Sequence, residues 1–143
     1  MADQPARGYT IDELSVGMSA SYAREVSIAD IEEFAKVSGD HNPVHLDDAY
    51  AKTTLFKGRI AHGMLGASFI STVLASKLPG PGTVYLGQTL AFKAPVRPGD
   101  RVEARVTITE VRHEKKQVVL KTECRVGEKV VIDGEATVMV TQS

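Results

Sequence analysis

Eight residues, Ser38-Gly39-Asp40-His41-Asn42-Pro43-Val44-His45, hold a carboxylate, two imidazoles and an amide. Asp40 and His45 lie five apart, out of phase for one helical face, but a loop readily brings such a pair together. A carboxylate and an imidazole converging on one water form a general acid/base pair able to work near neutral pH. The alternative is structural: Asp40 caps a turn, Asn42-Pro43 makes it, and the histidines are solvated. A second cluster, Ala61-His62-Gly63-Met64-Leu65-Gly66, stands where a long apolar segment begins. The first N–H groups of a helix starting there lack partners, and Gly63 lets a ligand approach the backbone with no Cβ in the way. That describes an oxyanion site, unless Gly63 and Gly66 serve only close helix–sheet packing and His62 is a packed or capping residue.

Other chemistry fares worse. His41 and His45 have the four-residue spacing of paired metal ligands, but Pro43 between them interrupts the continuous helix this requires, so no metal site is expected. Cys124 alternates with apolar neighbours and reads as a small core residue. As the single cysteine, it excludes an intrachain disulfide. Gly80-Pro81-Gly82 reads as a turn, with no helix after it to make a phosphate loop.

The elements that must position these residues follow from periodicity. After a lead-in at residues 9–16, residues 18–26 alternate as a strand. Ser27 with Asp30 is a capping-box pattern, and Ile28, Ile31, Phe34 and Ala35 follow at helical spacing, predicting a helix to Ser38 capped by Gly39. Pro43 pushes Asn42 away from helical dihedrals, so residues 40–45 should be an ordered loop. A short helix should come next, over residues 47–51. Residues 60–78 carry no charge until Lys77. They are too rich in Gly, Ser and Thr for a membrane span, and read as a helix buried on every side.

From there the period is two. Val84, Leu86, Leu90 and Phe92 are expected on one strand face, as are Val102, Ala104, Val106 and Ile108 on the next. Val118, Leu120 and Val126 continue the series, then Val130, Ile132, Ala136, Val138 and Val140. The separators, residues 97–100, 113–116 and 127–128, are short enough for antiparallel neighbours only. A curved antiparallel sheet wrapped around one long central helix covers both apolar surfaces at once, which is the hot-dog arrangement of the α+β class, although periodicity alone does not exclude another α+β arrangement.

Composition sets the outer bounds. At 143 residues, with 43% apolar and 24% charged side chains, the chain fits one domain spanning 1–143, with residues 1–8 expected to be a flexible N-terminus. Those first residues lack the charged-then-apolar pattern of a secretory signal, so a cytoplasmic location is expected. A net charge of −1 removes the basic field that nucleic acid or an anionic membrane surface would need.

The run from Phe34 to His45, with Ala51 six beyond it, resembles the hydratase-2 motif of (R)-specific enoyl-CoA hydratases in the MaoC-like dehydratase superfamily. The likeness continues through Ala61-His62-Gly63-Met64 and Tyr85-Leu86-Gly87-Gln88 to Phe92, covering nearly the whole chain. The resemblance implies a hydro-lyase that adds water reversibly to trans-2-enoyl-CoA, giving (R)-3-hydroxyacyl-CoA. Asp40 and His45 would hold the water, and the Gly63 N–H would bind the thioester oxygen. Asn42 would hold the loop shape, and Ser71, which matches a family serine, would order the Asp40 loop or bond back to its own helix. No metal or organic cofactor is implied. A homodimer is, in agreement with the edge strands such a sheet exposes. Enzymes of this kind belong to fatty-acid metabolism and polyhydroxyalkanoate synthesis. Lys57, Arg59, Lys93 and Arg97 are candidates for CoA phosphate contacts. Other hot-dog enzymes, namely thioesterases and 3-hydroxyacyl dehydratases, are the nearest rivals, but many carry a carboxylate on the central helix, where residues 62–78 have none. A non-catalytic acyl-CoA-binding module is the rival of a different class, and need not retain Asp40 or His45.

Overall fold

Ser27 and Asp30 form the reciprocal bonds their spacing predicts: the Asp30 N–H donates to Ser27 Oγ and the Ser27 N–H to Asp30 Oδ2, each at 3.0 Å. They open helix α1 (Ile28–Ser38). A computed structural model describes residues 7–143. A 3-10 turn (Ile11–Glu13) and strand β1 (Ser19–Glu25) precede α1. After it come helices α2 (Pro43–Leu46), α3 (Asp48–Lys52) and α4 (Gly63–Ser76), then strands β2 (Val84–Phe92), β3 (Arg101–Arg112), β4 (Gln117–Val126) and β5 (Lys129–Met139). The five strands make one antiparallel sheet in the order β1-β3-β4-β5-β2. Helix α4 touches every strand, which a sheet permits only by curling round it. This is the expected α+β hot-dog fold.

The core lies between α4 and the inner face of the sheet. Ile70, Val73 and Leu74 from the helix meet Val106, Ile108, Val118, Leu120 and Val138 from the strands, all 1% exposed or less. One side of α4, bearing Met64, Ser68 and Ala75, stays exposed, so the expectation of a helix buried all round holds for only part of its circumference. The sheet has five strands and one concave face; it cannot close over the fourth side.

Three further expectations change. Strand β2 carries a bulge between Tyr85 and Gly87. The extra residue reverses the alternation, so Tyr85 rather than Val84 shares the inward face with Leu90 and Phe92. A bulge near Cys124 likewise buries Val131 and leaves Val130 half-exposed. The connection through residues 97–100 is also not a hairpin, because β2 pairs with β5 and lies three positions from β3. Residues 93–100 run across the end of the sheet, and the Val96 carbonyl accepts the Ala61 N–H at 2.7 Å as they pass.

Of the flexible N-terminus expected over residues 1–8, residues 1–6 lie outside the described residues. Gly8 is buried, and the Tyr9 N–H donates to the Pro79 carbonyl at 2.8 Å. Among the described residues, no helix is long and apolar enough to cross a membrane.

Ile70 is fully buried at the middle of α4, so Ile70→Ala should cost about 2–5 kcal/mol through lost transfer energy and an unfilled cavity. Urea unfolding monitored by circular dichroism measures it. A loss under about 1 kcal/mol would mean that the helix is not packed on the sheet as described.

Candidate functional site

A chain of short local bonds shapes the Asp40 segment. Gly39 ends α1 in the left-handed region at φ 81°, a turn that residues with a Cβ rarely adopt. Ser38 Oγ donates to the Phe34 carbonyl at 2.7 Å and accepts the Asp40 N–H at 3.1 Å. Asp40 Oδ1 accepts the Asn42 N–H at 3.2 Å, and Asn42 Oδ1 accepts the Val44 N–H at 3.1 Å. Asn42 therefore caps α2, and Pro43 occupies its first position, where no N–H is needed. The expected loop at residues 40–45 thus ends in a helical turn: Pro43 breaks continuity with α1 and is itself the first residue of α2. His45 rides on that turn, while His41 is exposed, its Nδ1 3.1 Å from the Gly39 carbonyl.

His45 is 8% exposed, and its Nδ1–H donates to the Ile60 carbonyl at 2.8 Å. That bond fixes the tautomer and leaves Nε2 with a free lone pair. Its own carbonyl accepts from Arg59 Nε at 2.7 Å, so the turn is held from both sides. Burial holds the imidazole below its ordinary pKa. The Ile60 bond opposes this, His62 adds to the lowering, and Asp40 opposes it in turn. The ring stacks on His62 with centroids 3.9 Å apart. Asp40, His45 and His62 each offer a ligand-type atom within 4.8 Å of the other two. A metal is the other species such a trio could hold. His62 Nε2 is already engaged with the Asp40 backbone carbonyl at 3.0 Å, and its Nδ1 is buried without a partner. His62 Nδ1 keeps its lone pair, so the trio offers three donors at most, Asp40, His45 Nε2 and His62 Nδ1.

Gly63 is the first residue of α4, and its N–H has no partner among the described residues. A Cβ on Gly63 would lie 2.6 Å from the Phe92 ring, and one on Gly66 3.0 Å from Ile132 Cδ1. Close helix–sheet packing therefore accounts for both glycines, and it coexists with an exposed Gly63 backbone. Asp40, His45, His62 and Gly63 share one cavity of about 700 Å³, walled mainly by Phe34, Phe56, Met64, Phe92, Ala94 and Val96. Two of these walls come from the crossing segment 93–100. Sequence reading missed this lining, since no local pattern brings β2 and its crossover to the start of α4.

Ser71 is not brought to the Asp40 loop. It lines a separate groove between α4 and β2, beside Ser68 and Tyr85, and its hydroxyl makes no hydrogen bond among the described residues. Two of the four candidates for phosphate contact are engaged elsewhere. Arg59 bonds to the His45 carbonyl, and Arg97 to the carbonyls of Phe56 and Gly58. Lys93 stands at the cavity rim and Lys57 is exposed outside it.

The family model for a MaoC-like domain matches residues 13–130. A curated relative from Rhodospirillum rubrum, an (R)-specific enoyl-CoA hydratase, is 57% identical over 129 residues, 90% of each chain. The solved (R)-hydratase from A. caviae, described as involved in PHA biosynthesis, superposes with a TM-score of 0.87 at 43% identity, over 90% of this chain and 98% of that one. R-hydratase PhaJ1 from Pseudomonas aeruginosa, solved without ligand, gives 0.89 at 47% identity, over 95% and 88%. With a family model across most of its length and relatives this similar in sequence and fold, the chain belongs to the MaoC-like domain family.

Proposed function

We propose that this protein is an (R)-specific enoyl-CoA hydratase, a hydro-lyase that adds water reversibly to trans-2-enoyl-CoA. The observation that carries the reading is the convergence of the Asp40 carboxylate, the free His45 Nε2 and the unpartnered Gly63 N–H on one apolar cavity. The similarity to (R)-hydratases supports both the substrate class and the configuration of the product.

In this reading, one water donates its two O–H groups to Asp40 and His45 Nε2. Its oxygen attacks C3 of the enoyl group, and the π electrons move through C2 toward the thioester oxygen. The Gly63 N–H, at the positive end of α4, stabilises the charge that develops there. The acid/base pair takes a proton from the water and returns one to C2, so the site ends as it began. Asn42 acts by holding the turn that carries His45. The mechanism uses no metal or organic cofactor.

The exposed apolar residues point to a homodimer. Edge strand β2 pairs on one side only and presents Tyr85 and Leu86, 40% and 48% exposed, beside Met64 of α4 at 55%. Covering this strip with a second copy would remove apolar area from water and satisfy the open edge. The same reading makes residues 1–143 one domain, located in the cytoplasm with the acyl-CoA it acts on.

Three outcomes test this. Crotonyl-CoA should lose its enoyl absorbance and yield the (R)-3-hydroxy product on a chiral column, whereas a binding module would leave the absorbance intact. Asp40→Asn and His45→Gln should each lower kcat by about 10²–10⁴-fold with the fold retained, and the double variant should resemble the worse single one. Asp47→Asn and His41→Gln are the controls, because Asp47 caps α3 and His41 faces solvent. Near-normal turnover in the Asp40 and His45 variants would overturn the assignment.

The neutral imidazole is the working form, and burial lowers its pKa from the ordinary 6.5. The acid limb of kcat/KM should therefore lie below that value. A limb centred above it would show that His45 is not the titrating base.

Sedimentation at micromolar concentration should give a dimer, and Leu86→Lys should shift it toward monomer. An active wild-type monomer would refute the assembly.

A further inference from the structure

His62 is the residue that neither the packing nor the proposed proton transfers explain. It is 3% exposed, yet it is an imidazole rather than an apolar ring, and its Nδ1 is buried with no hydrogen-bond partner. A buried acceptor left unpaired destabilises a fold, and phenylalanine would fill a similar space without that loss. Three contacts show what the imidazole is there to do. Its Nε2–H donates to the backbone carbonyl of Asp40 at 3.0 Å, across 22 residues of sequence. One face of the ring stacks on His45 at 3.9 Å, with 27° between the planes, and Phe34 leans on it at 5.0 Å. His62 is also the residue before Gly63, at the N-cap of α4, where its side chain makes no capping bond. One side chain thus touches the residue bearing the carboxylate, the imidazole base and the peptide that leads into the oxyanion donor.

We infer that His62 is the positioning residue of the site, its imidazole tying the Asp40 main chain and the His45 ring to the start of α4 and so setting the acid/base pair against the Gly63 N–H. Resting on the hydratase reading, the inference assigns His62 no proton transfer. Asp40 needs such a tie because its remaining anchors, Ser38 and Asn42, lie within two residues of it and move with the same loop. A misplacement of about 1 Å in a reacting group can cost a hundredfold in rate while leaving substrate binding intact.

The test uses the full chain, with crotonyl-CoA as substrate and butyryl-CoA as a saturated analogue that cannot be hydrated. His62→Phe keeps a ring for stacking and removes the donor; His62→Gln keeps an N–H donor and removes the ring. With rates normalised to folded protein by circular dichroism, His62→Phe should lower kcat about ten- to hundredfold. Its KM and its calorimetric Kd for butyryl-CoA should stay within about threefold of wild type. His62→Gln should lose less than His62→Phe, because its amide N–H can still reach the Asp40 carbonyl. In an Asp40→Asn background, His62→Phe should cost less than about threefold more, since the group it positions is gone. The inference is overturned if kcat of His62→Phe stays within about threefold, or if butyryl-CoA affinity falls in step with kcat. It also fails if the loss is undiminished in the Asp40→Asn background. Failure of both variants to fold would make His62 structural and end the inference as well. Wild-type protein that leaves crotonyl-CoA unchanged would instead defeat the hydratase reading, and the inference with it.

Discussion

The structure depends on one constraint at the start of α4. An apolar helix buried in a curled sheet must bring its first, unpaired N–H groups somewhere that water or a ligand can reach. Here that end emerges between the Asp40 loop on one side and Phe92 with the 93–100 crossover on the other. The glycine at its first position combines close packing with an open backbone. With no Cβ, Gly63 lets the Phe92 ring lie against the helix, and the same absence leaves its N–H open to the cavity. A Cβ there would meet the Phe92 ring at 2.6 Å, so the ring or the helix would have to shift.

The hydrogen bonds that orient the imidazoles gathered there go to backbone carbonyls, and the two rings stack on each other. The Ile60 carbonyl takes the proton-bearing nitrogen of His45, and the Asp40 carbonyl takes that of His62. Each bond fixes a tautomer, and together they turn the remaining His45 lone pair toward the cavity. Burial keeps that imidazole neutral to lower pH than a solvated one. An apolar wall of Phe34, Phe56, Met64 and Phe92 strengthens whatever charge–dipole interaction forms inside it.

Strand order shapes the same end of the helix. A hairpin between β2 and β3 would have left the end of α4 without a cover. Placing β2 at the far edge, next to β5, forces residues 93–100 across that end instead, and their Val96 carbonyl then binds the Ala61 N–H. The wall of the site is thus a by-product of strand order. Arg97, carried on the same crossing, spends its guanidinium on the Phe56 and Gly58 carbonyls and pins the segment before α4 in place.

What the sequence determined by itself was local, although the helical turn α2 at Pro43–Leu46 escaped it. The bounds of α1, its Ser27–Asp30 cap and its Gly39 terminus follow from hydrogen bonds within a few residues, and so does the turn built by Asp40, Asn42 and Pro43. The inward faces of β3 and β4 were legible because a period of two needs no knowledge of the partner strand. The motif order made Asp40, His45 and Gly63 readable as candidates, but their convergence depends on contacts 15 to 22 residues apart in sequence. Only the tertiary structure decided the bulges that reversed Val84 and Val130, since a bulge is a mismatch between two strands and neither strand records it alone. It also decided the part of His62. A histidine beside a helix start looks the same in sequence whether it caps, packs or positions, and the difference lies in which distant carbonyl its nitrogen meets.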